Sequence, residues 1–426
     1  MTQGGTTQRE FDIIVYGATG FVGKLTAEYL AKAGGEARIA LAGRSMQKLE
    51  AVRATLGEGA RDWALVTADA SSPSSLEAMA ARTRVVVTTV GPYSRYGLPL
   101  VAACAKTGTD YADLTGEAMF VRQSIDDYHK QAIDTGARIV HACGFDSVPS
   151  DMTVYALYSR ARQDDAGELL DTNYVLRDFA GGVSGGTIAS MTEVMRAASS
   201  DSEIRKMLED PYTLTQDRGA EPEFGPQPDL PWRRGRDIAP ELAGVWAGGF
   251  VMAPYNTRIV RRSNALLDYA YGRRFRYAEY MGTGRSIAAP VISALTTAVT
   301  AGSAALGYRL FRFLPRALVD RLAPKPGTGP SVQVRENGHY RVETYATTST
   351  GARYVATMSQ SGDPGYKATA AMLGECGLAL ALDRDKLPGL YGVLTPAAAM
   401  GDALLVRFPR AGIVLETAKL SATPSA

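Results

Sequence analysis

Residues 13–24, IIVYGATGFVGK, run an apolar strand straight into three glycines set three apart, Gly17, Gly20 and Gly23. A chain that turns from a buried strand into a helix needs a residue free of Cβ crowding at the turn, which Gly17 supplies. Gly20 lets a phosphate close on the backbone, and Gly23 lets the helix pack tightly on the strand. The new helix then aims its free N–H groups and positive dipole end at whatever lies above the turn. The stretch predicts a dinucleotide cradle made by Gly17, Ala18, Thr19, Gly20, Phe21, Val22 and Gly23.

The rest of the first 150 residues repeats the pattern. FDIIVYG, ARIALAGR, WALVTADA and RVVVTTVGPY read as strands. KLTAEYLAKAG, SMQKLEAVRATLG, SPSSLEAMAART and GLPLVAACAKTG read as the helices between and after them. DYADLTGE and ARIVHACGFDS supply further strand ends. Alternating β–α units with short connections predict an α/β fold with a Rossmann-type, doubly wound parallel sheet.

The second strand decides which dinucleotide fits. An Asp or Glu at its end would hold a ribose 2′-OH, but ALAGRS places Gly43 and Arg44 there. A guanidinium pairs with a 2′-phosphate that a carboxylate would repel, so NADPH is expected. Asp69, ending the third strand, has two readings: a bond to the adenine amino group, or an N-cap for the next helix. Ligands in such sheets lie beyond the carboxyl ends of the strands, which puts Gly91, Pro92 and Tyr93 beside the nicotinamide ribose. Tyr93, Arg95 and Tyr96 share that loop, as surface residues or as groups that hold and protonate a substrate.

Bulk properties narrow the class. Two domains are expected from 426 residues, and 46% hydrophobic with 21% charged residues describes a globular chain. A net charge of +2 argues against nucleic acid as the main partner. Cys104, Cys143 and Cys376 form no CxxC, and His129, His141 and His339 share no ligand spacing, so no disulfide framework and no metal site are expected. MTQGGTTQRE has no apolar core and reads as a disordered lead-in rather than a secretory signal, which suggests the cytoplasm.

The second half is less regular. TNYVLRDFAGGVSGGTIASMTEVMRAAS reads as a strand, a glycine turn and a helix from about Thr187, with Ser184 to Thr187 capping it or facing a carbonyl group. Residues 217–240 are rich in Pro and Gly and predict a long surface loop. Seven arginines (258, 261, 262, 273, 274, 276 and 285) read as a solvated helix face or as a docking patch for an acidic partner or anionic lipid. The uncharged stretch 287–308 reads as a helix packed in a core or interface, with shallow lipid contact or a membrane span as alternatives. HYRVETYATTSTGARYVATMSQ reads as a hairpin, and two late apolar stretches read as helices returning to the first domain.

The segments VYGATGFVGKL, LAGRS, TTVGPYSRYGLPLVAACAKTGTDYADLTGE and HACGFDSVPSD together resemble the saccharopine dehydrogenase-like oxidoreductases. With DPYTLTQDRGAEPE, APYNTRIVRRSNAL, YGRRFRY, PKPGTGP and LTPAAAMGDALL the chain resembles one branch over nearly its whole length. That branch holds the trans-acting enoyl reductases serving polyketide synthases of phthiocerol-type and phenolphthiocerol-type lipids. The resemblance implies an NADPH-dependent enzyme that saturates a carbon–carbon double bond in a polyketide acyl intermediate, either free or on an acyl carrier protein that the arginine patch would dock.

Enoyl reduction needs a donor to the developing enolate oxygen and a proton for the α-carbon. Tyr93 and Tyr96 are the catalytic candidates, by strand-end position; Asp146 and Ser147 end another strand, and Asp146 has two readings, as a group facing the cleft or as an anchor for its loop. Two rivals stay open: reduction of a carbonyl or imine, and a lipid-associated protein that binds NADPH without turnover. The expected domains are a nucleotide unit over 1–150, an α+β unit over 151–385 and a C-terminal helical segment over 386–426 that packs back on the first.

Overall fold

A computed structural model describes residues 9–182, 185–222, 224, 227–305 and 329–421. The lead-in before Arg9, Ser184, and residues 306–308 of the apolar stretch lie outside the described residues. Six parallel strands come from the first 140 residues: β1 (Phe11–Tyr16), β2 (Ile39–Gly43), β3 (Ala64–Thr67), β4 (Thr83–Thr88), β5 (Asp110–Ala112) and β6 (Arg138–Val140). Both β1 and β2 are buried at every position, as strands covered by helices on both faces must be.

Next come β7 (Leu169–Ala180), β8 (Arg233–Arg234), β9 (Trp246–Gly249), β10 (Arg276–Gly282), β11 (His339–Thr348) and β12 (Arg353–Ser361). The hairpin β11–β12 is the one the alternation predicts. Two short strands close the chain. β13 (Gly392–Leu394) returns to pair parallel with β6, and β14 (Val414–Leu420) pairs with β12. The first sheet runs β13-β6-β5-β4-β1-β2-β3 and the second β14-β12-β11-β7-β10-β9-β8. The second sheet is mixed, since β7 and β10 are parallel and its other pairs antiparallel. The molecule is therefore a Rossmann-type α/β body joined to a mixed-sheet α+β body.

The late helix Thr369–Leu382 packs on the helix Phe21–Ala33 and on β4. Its Glu375 accepts a 2.6 Å hydrogen bond from Tyr29 and pairs with the buried Arg407. Between the bodies lies the helix Val148–Gln163, against which the helix Ala253–Leu266 packs. A buried polar chain joins them: Ser147 donates to Asn256, and Asn256 donates to Ser150 and Glu279. Burial pushes the Glu279 carboxyl up to about 7 against hydrogen bonds that lower it, and burial raises Asp151 to about 7 as well.

The arginine-rich segment differs from its reading as a solvated or docking face. Arg258, Arg261 and Arg262 are buried on the helix Ala253–Leu266. They donate to the carbonyls of Leu208, Pro211, Tyr277, Leu214 and Val393 and so tie down the segment from 208 to 214. Polar carbonyls that would otherwise lack donors make this burial tolerable. Arg273, Arg274, Arg276 and Arg285 are exposed.

The apolar stretch forms the helix Ala289–Ala305, which packs on β9. Thr297 accepts from the Gly249 amide at 2.9 Å, while Ile287, Val291 and Leu295 are exposed. Among the described residues no helix is long and apolar enough to cross a membrane.

Candidate active site

A cavity of about 830 Å³ runs along the carboxyl edge of the first sheet. The helix Gly185–Ser200 and the turn Pro364–Ala368 wall its far side. Gly17, Thr19, Gly20, Phe21, Val22, Arg44, Asp69, Gly91, Pro92, Tyr93 and Tyr96 all line it. Ala18 and Gly23, which the sequence also places in the cradle, are buried behind it.

The turn after β1 shows why those glycines are there. Gly17 has φ +87°, and a Cβ on it would stand 2.7 Å from Val90 Cγ2. A Cβ on Gly23 would stand 2.1 Å from the Gly17 carbonyl oxygen, so any side chain would push the helix off the turn. The helix Phe21–Ala33 starts at Gly20 with no side-chain cap and no acid in its first turn. Its first amides therefore have no side-chain cap among the described residues and stand at the cavity wall, with the helix dipole behind them. Arg44 is exposed on the rim and enters no ion pair among the described residues. Asp69 is held by the Ser71 amide and hydroxyl, both at 2.9 Å, which lower its carboxyl. Ser72, rather than Asp69, caps the following helix. Burial, with Asp69 nearby, pushes the Tyr16 hydroxyl up to about 12. An uncapped helix end, a cradle that a Cβ would fill and an unpaired guanidinium fit a dinucleotide pyrophosphate and a 2′-phosphate.

The other end is built differently. Glu117 is buried and accepts from the amides of Tyr93 and Ser94, both at 2.9 Å, and from Ser190 at 2.8 Å. The β4 loop is thereby fixed to the helix Gly185–Ser200. The buried Tyr93 donates to the Thr88 carbonyl and accepts from the Leu114 amide, both at 3.2 Å. Burial pushes its hydroxyl well up. Tyr96 stands 45% exposed, with no hydrogen-bond partner for its hydroxyl among the described residues. Arg95 is paired with Glu193 at 2.6 Å. Ala142 is held at φ +64° with its amide on Asp113, a left-handed conformation rare for alanine.

Leu114, Met191, Met252 and Thr369 complete this end, and Tyr366 lines the cavity beside Phe21 of the glycine turn, their rings 5.1 Å apart. Sequence reasoning missed these five because they arrive from four separate segments, and none carries a local signal. Among the described residues, the charged side chains lining the cavity are Arg44, Asp69, Arg95 and Asp146. Arg44 and Asp69 mark the β2–β3 side, so among the described residues the opposite end has one cation, already paired, and one carboxyl.

Comparison with known proteins agrees with this geometry. Residues 13–140 match the saccharopine dehydrogenase NADP-binding domain. Over 97% of this chain and 99% of its own length, Rv2449c of Mycobacterium tuberculosis is 71% identical; its name places it provisionally among the trans-acting enoyl reductases. Proteins named trans-acting enoyl reductase from Mycobacterium bovis and Mycobacterium ulcerans are 65% and 63% identical, each over 97% of this chain and 99% of theirs.

The chain belongs to the family of these mycobacterial proteins. Its first body is an NADP-binding domain, with NADPH as cofactor. The saccharopine dehydrogenase (L-Glu forming) of Saccharomyces cerevisiae shares the fold. It matches over 96% of this chain and 99% of its own, with a TM-score of 0.52 at 14% identity.

Proposed function

We propose that the chain is an NADPH-dependent trans-acting enoyl reductase. Its substrate would be a polyketide-derived acyl intermediate of the phthiocerol or phenolphthiocerol type, carried on an acyl carrier protein. One observation carries the substrate class: the end of the cavity away from Arg44 holds no unpaired cation among the described residues, and Leu114, Met191 and Met252 line it. A carboxylated amino acid would find no anchor there, whereas a neutral acyl chain would leave water favourably. The names of the relatives, at 63–71% identity, point to the same chemistry.

When bound, NADPH supplies hydride to the β-carbon of the enoyl group. The chain's own residues do the rest. The glycine turn and the uncapped helix end hold the pyrophosphate, Arg44 takes the 2′-phosphate, and Gly91 and Pro92 border the nicotinamide ribose. Tyr93, with both sides of its hydroxyl engaged, fixes Leu114 and the loop. Tyr96, whose hydroxyl has no partner among the described residues, donates to the oxygen on which enolate charge develops. The exposed Ile287, Val291 and Leu295 offer a greasy surface for peripheral lipid contact, and the exposed Arg273, Arg274, Arg276 and Arg285 offer cations to an acidic carrier.

Incubation of the protein with NADPH and an α,β-unsaturated acyl thioester tests this reading by mass spectrometry. The expected product gains two hydrogens and keeps its carbonyl. Reduction of the carbonyl, or turnover only with an imine, would sink it. NADPH binding with no acceptor reduced would leave the non-catalytic reading.

A further inference from the structure

We infer that Asp146 is the acid of this site, giving its carboxyl proton to the substrate α-carbon after hydride has reached the β-carbon. This rests on the enoyl reductase reading.

Asp146 stands at the end of the cleft where the chemistry belongs. It follows β6, which lies on the far side of β4 from β2 and β3 in the sheet. Arg44 and Asp69 mark the β2–β3 side as the adenosine end, so a dinucleotide laid across the sheet edge directs its nicotinamide toward β5 and β6.

The surroundings of the carboxyl are also unlike those of its neighbours. Other acids near the cavity have donors: Asp69 has Ser71, Glu117 has two amides and Ser190, and Asp113 has Tyr111 and the amides of Thr115 and Ala142. Asp146 lines the cavity from a half-buried position, with no hydrogen bond and no cation among the described residues. The titratable groups that sense it are Tyr174 on β7 and Tyr255 on the helix Ala253–Leu266. Tyr255 is itself buried with an unpartnered hydroxyl. Tyr366 lines the same cavity, its ring against Phe21. None of these groups hydrogen-bonds to the carboxyl among the described residues, and burial pushes Asp146 up to about 6.

The loop bearing Asp146 is rigid, pinned on both sides, with Phe145 N–H donating to Thr369 at 3.1 Å and Ser147 donating to Asn256 at 3.0 Å. A Cβ on Gly144 would stand 2.7 Å from Leu114 Cδ2. A carboxyl on a backbone anchored at both neighbours, with its own hydrogen bonds unspent, suits a donor to a substrate atom.

The step balances. Hydride forms the new bond at the β-carbon and the π pair moves onto the α-carbon and carbonyl oxygen. The O–H bond of Asp146 then breaks as the α C–H bond forms, leaving a carboxylate that solvent reprotonates. NADPH is oxidised to NADP⁺, the alkene is reduced by two electrons, and the thioester is untouched.

Asp146→Asn keeps the shape and removes the transferable proton. Its kcat should fall by about 100-fold or more, with KM and the NADPH Kd, read by nicotinamide fluorescence, within about twofold. Wild-type kcat should decline as pH rises above about 6, because the protonated carboxyl is the active form, and that limb should vanish in the variant. Infrared difference spectra of the free protein between pH 5 and pH 8 should lose one carboxylic-acid band in the variant. A variant that keeps wild-type kcat, or keeps the pH limb, overturns the inference and leaves enoyl reduction standing. A wild-type protein that binds NADPH yet leaves the enoyl thioester unreduced overturns both.

Discussion

The two ends of the cleft are made of different materials. The cofactor end is mostly backbone: a glycine turn, free helix amides and one guanidinium, drawn from the segment between β1 and the residue after β2. The substrate end is mostly side chains, Leu114, Asp146, Met191, Met252 and Thr369, drawn from across the chain. Backbone recognition demands particular local residues, because only glycine tolerates the close approaches, and so it is written locally. Side-chain recognition is assembled by the fold and leaves no local trace.

The sharpest way to break the contrast is Gly23→Val. Its side chain would meet the Gly17 carbonyl, where even a Cβ comes within 2.1 Å. NADPH affinity should fall by about 100-fold or more, for a steric cost of about 3 kcal/mol, as fluorescence titration would show. Arg44→Ala should act next most strongly and on one cofactor only. Losing a charge-assisted contact of about 1.5–3 kcal/mol should weaken NADPH by about 10- to 100-fold and leave NADH unchanged.

At the substrate end the effects should separate by residue. Tyr96→Phe should lower kcat by about tenfold with NADPH binding intact. Tyr93→Phe removes a donor from Thr88 and an acceptor from Leu114, so it should cost about 1–2 kcal/mol in chemical denaturation.

The smallest effect concerns the buried chain between the bodies. A carboxyl raised to about 7 favours the folded state fully below its unfolded value, and that contribution is lost as pH rises through about 7. Glu279→Gln cannot ionise, so its stability relative to wild type should improve as pH rises from 5 to 8. A difference independent of pH would show that Glu279 does not titrate in that range.

Much of the first body was legible because its strands are continuous apolar runs punctuated by glycine, with helices between them. β13 was not, since it joins β6 from far along the chain within a stretch that reads as helix. The arginines at 258, 261 and 262 read as surface because charge usually is; their burial depends on carbonyls of a segment about 50 residues earlier. Arg44 was legible from its place at the end of β2. Tyr366 was not, because it sits on a turn that follows β12 of the second sheet and reaches the cleft from there.

The most direct test joins the two ends in one molecule. NADPH carrying deuterium at the transferable position of its nicotinamide should be mixed with an enoyl thioester and the protein in ordinary water. The expected product carries one deuterium on the β-carbon and an ordinary proton on the α-carbon, with the carbonyl intact. Deuterium on the carbonyl carbon, or none in the product, would contradict the account.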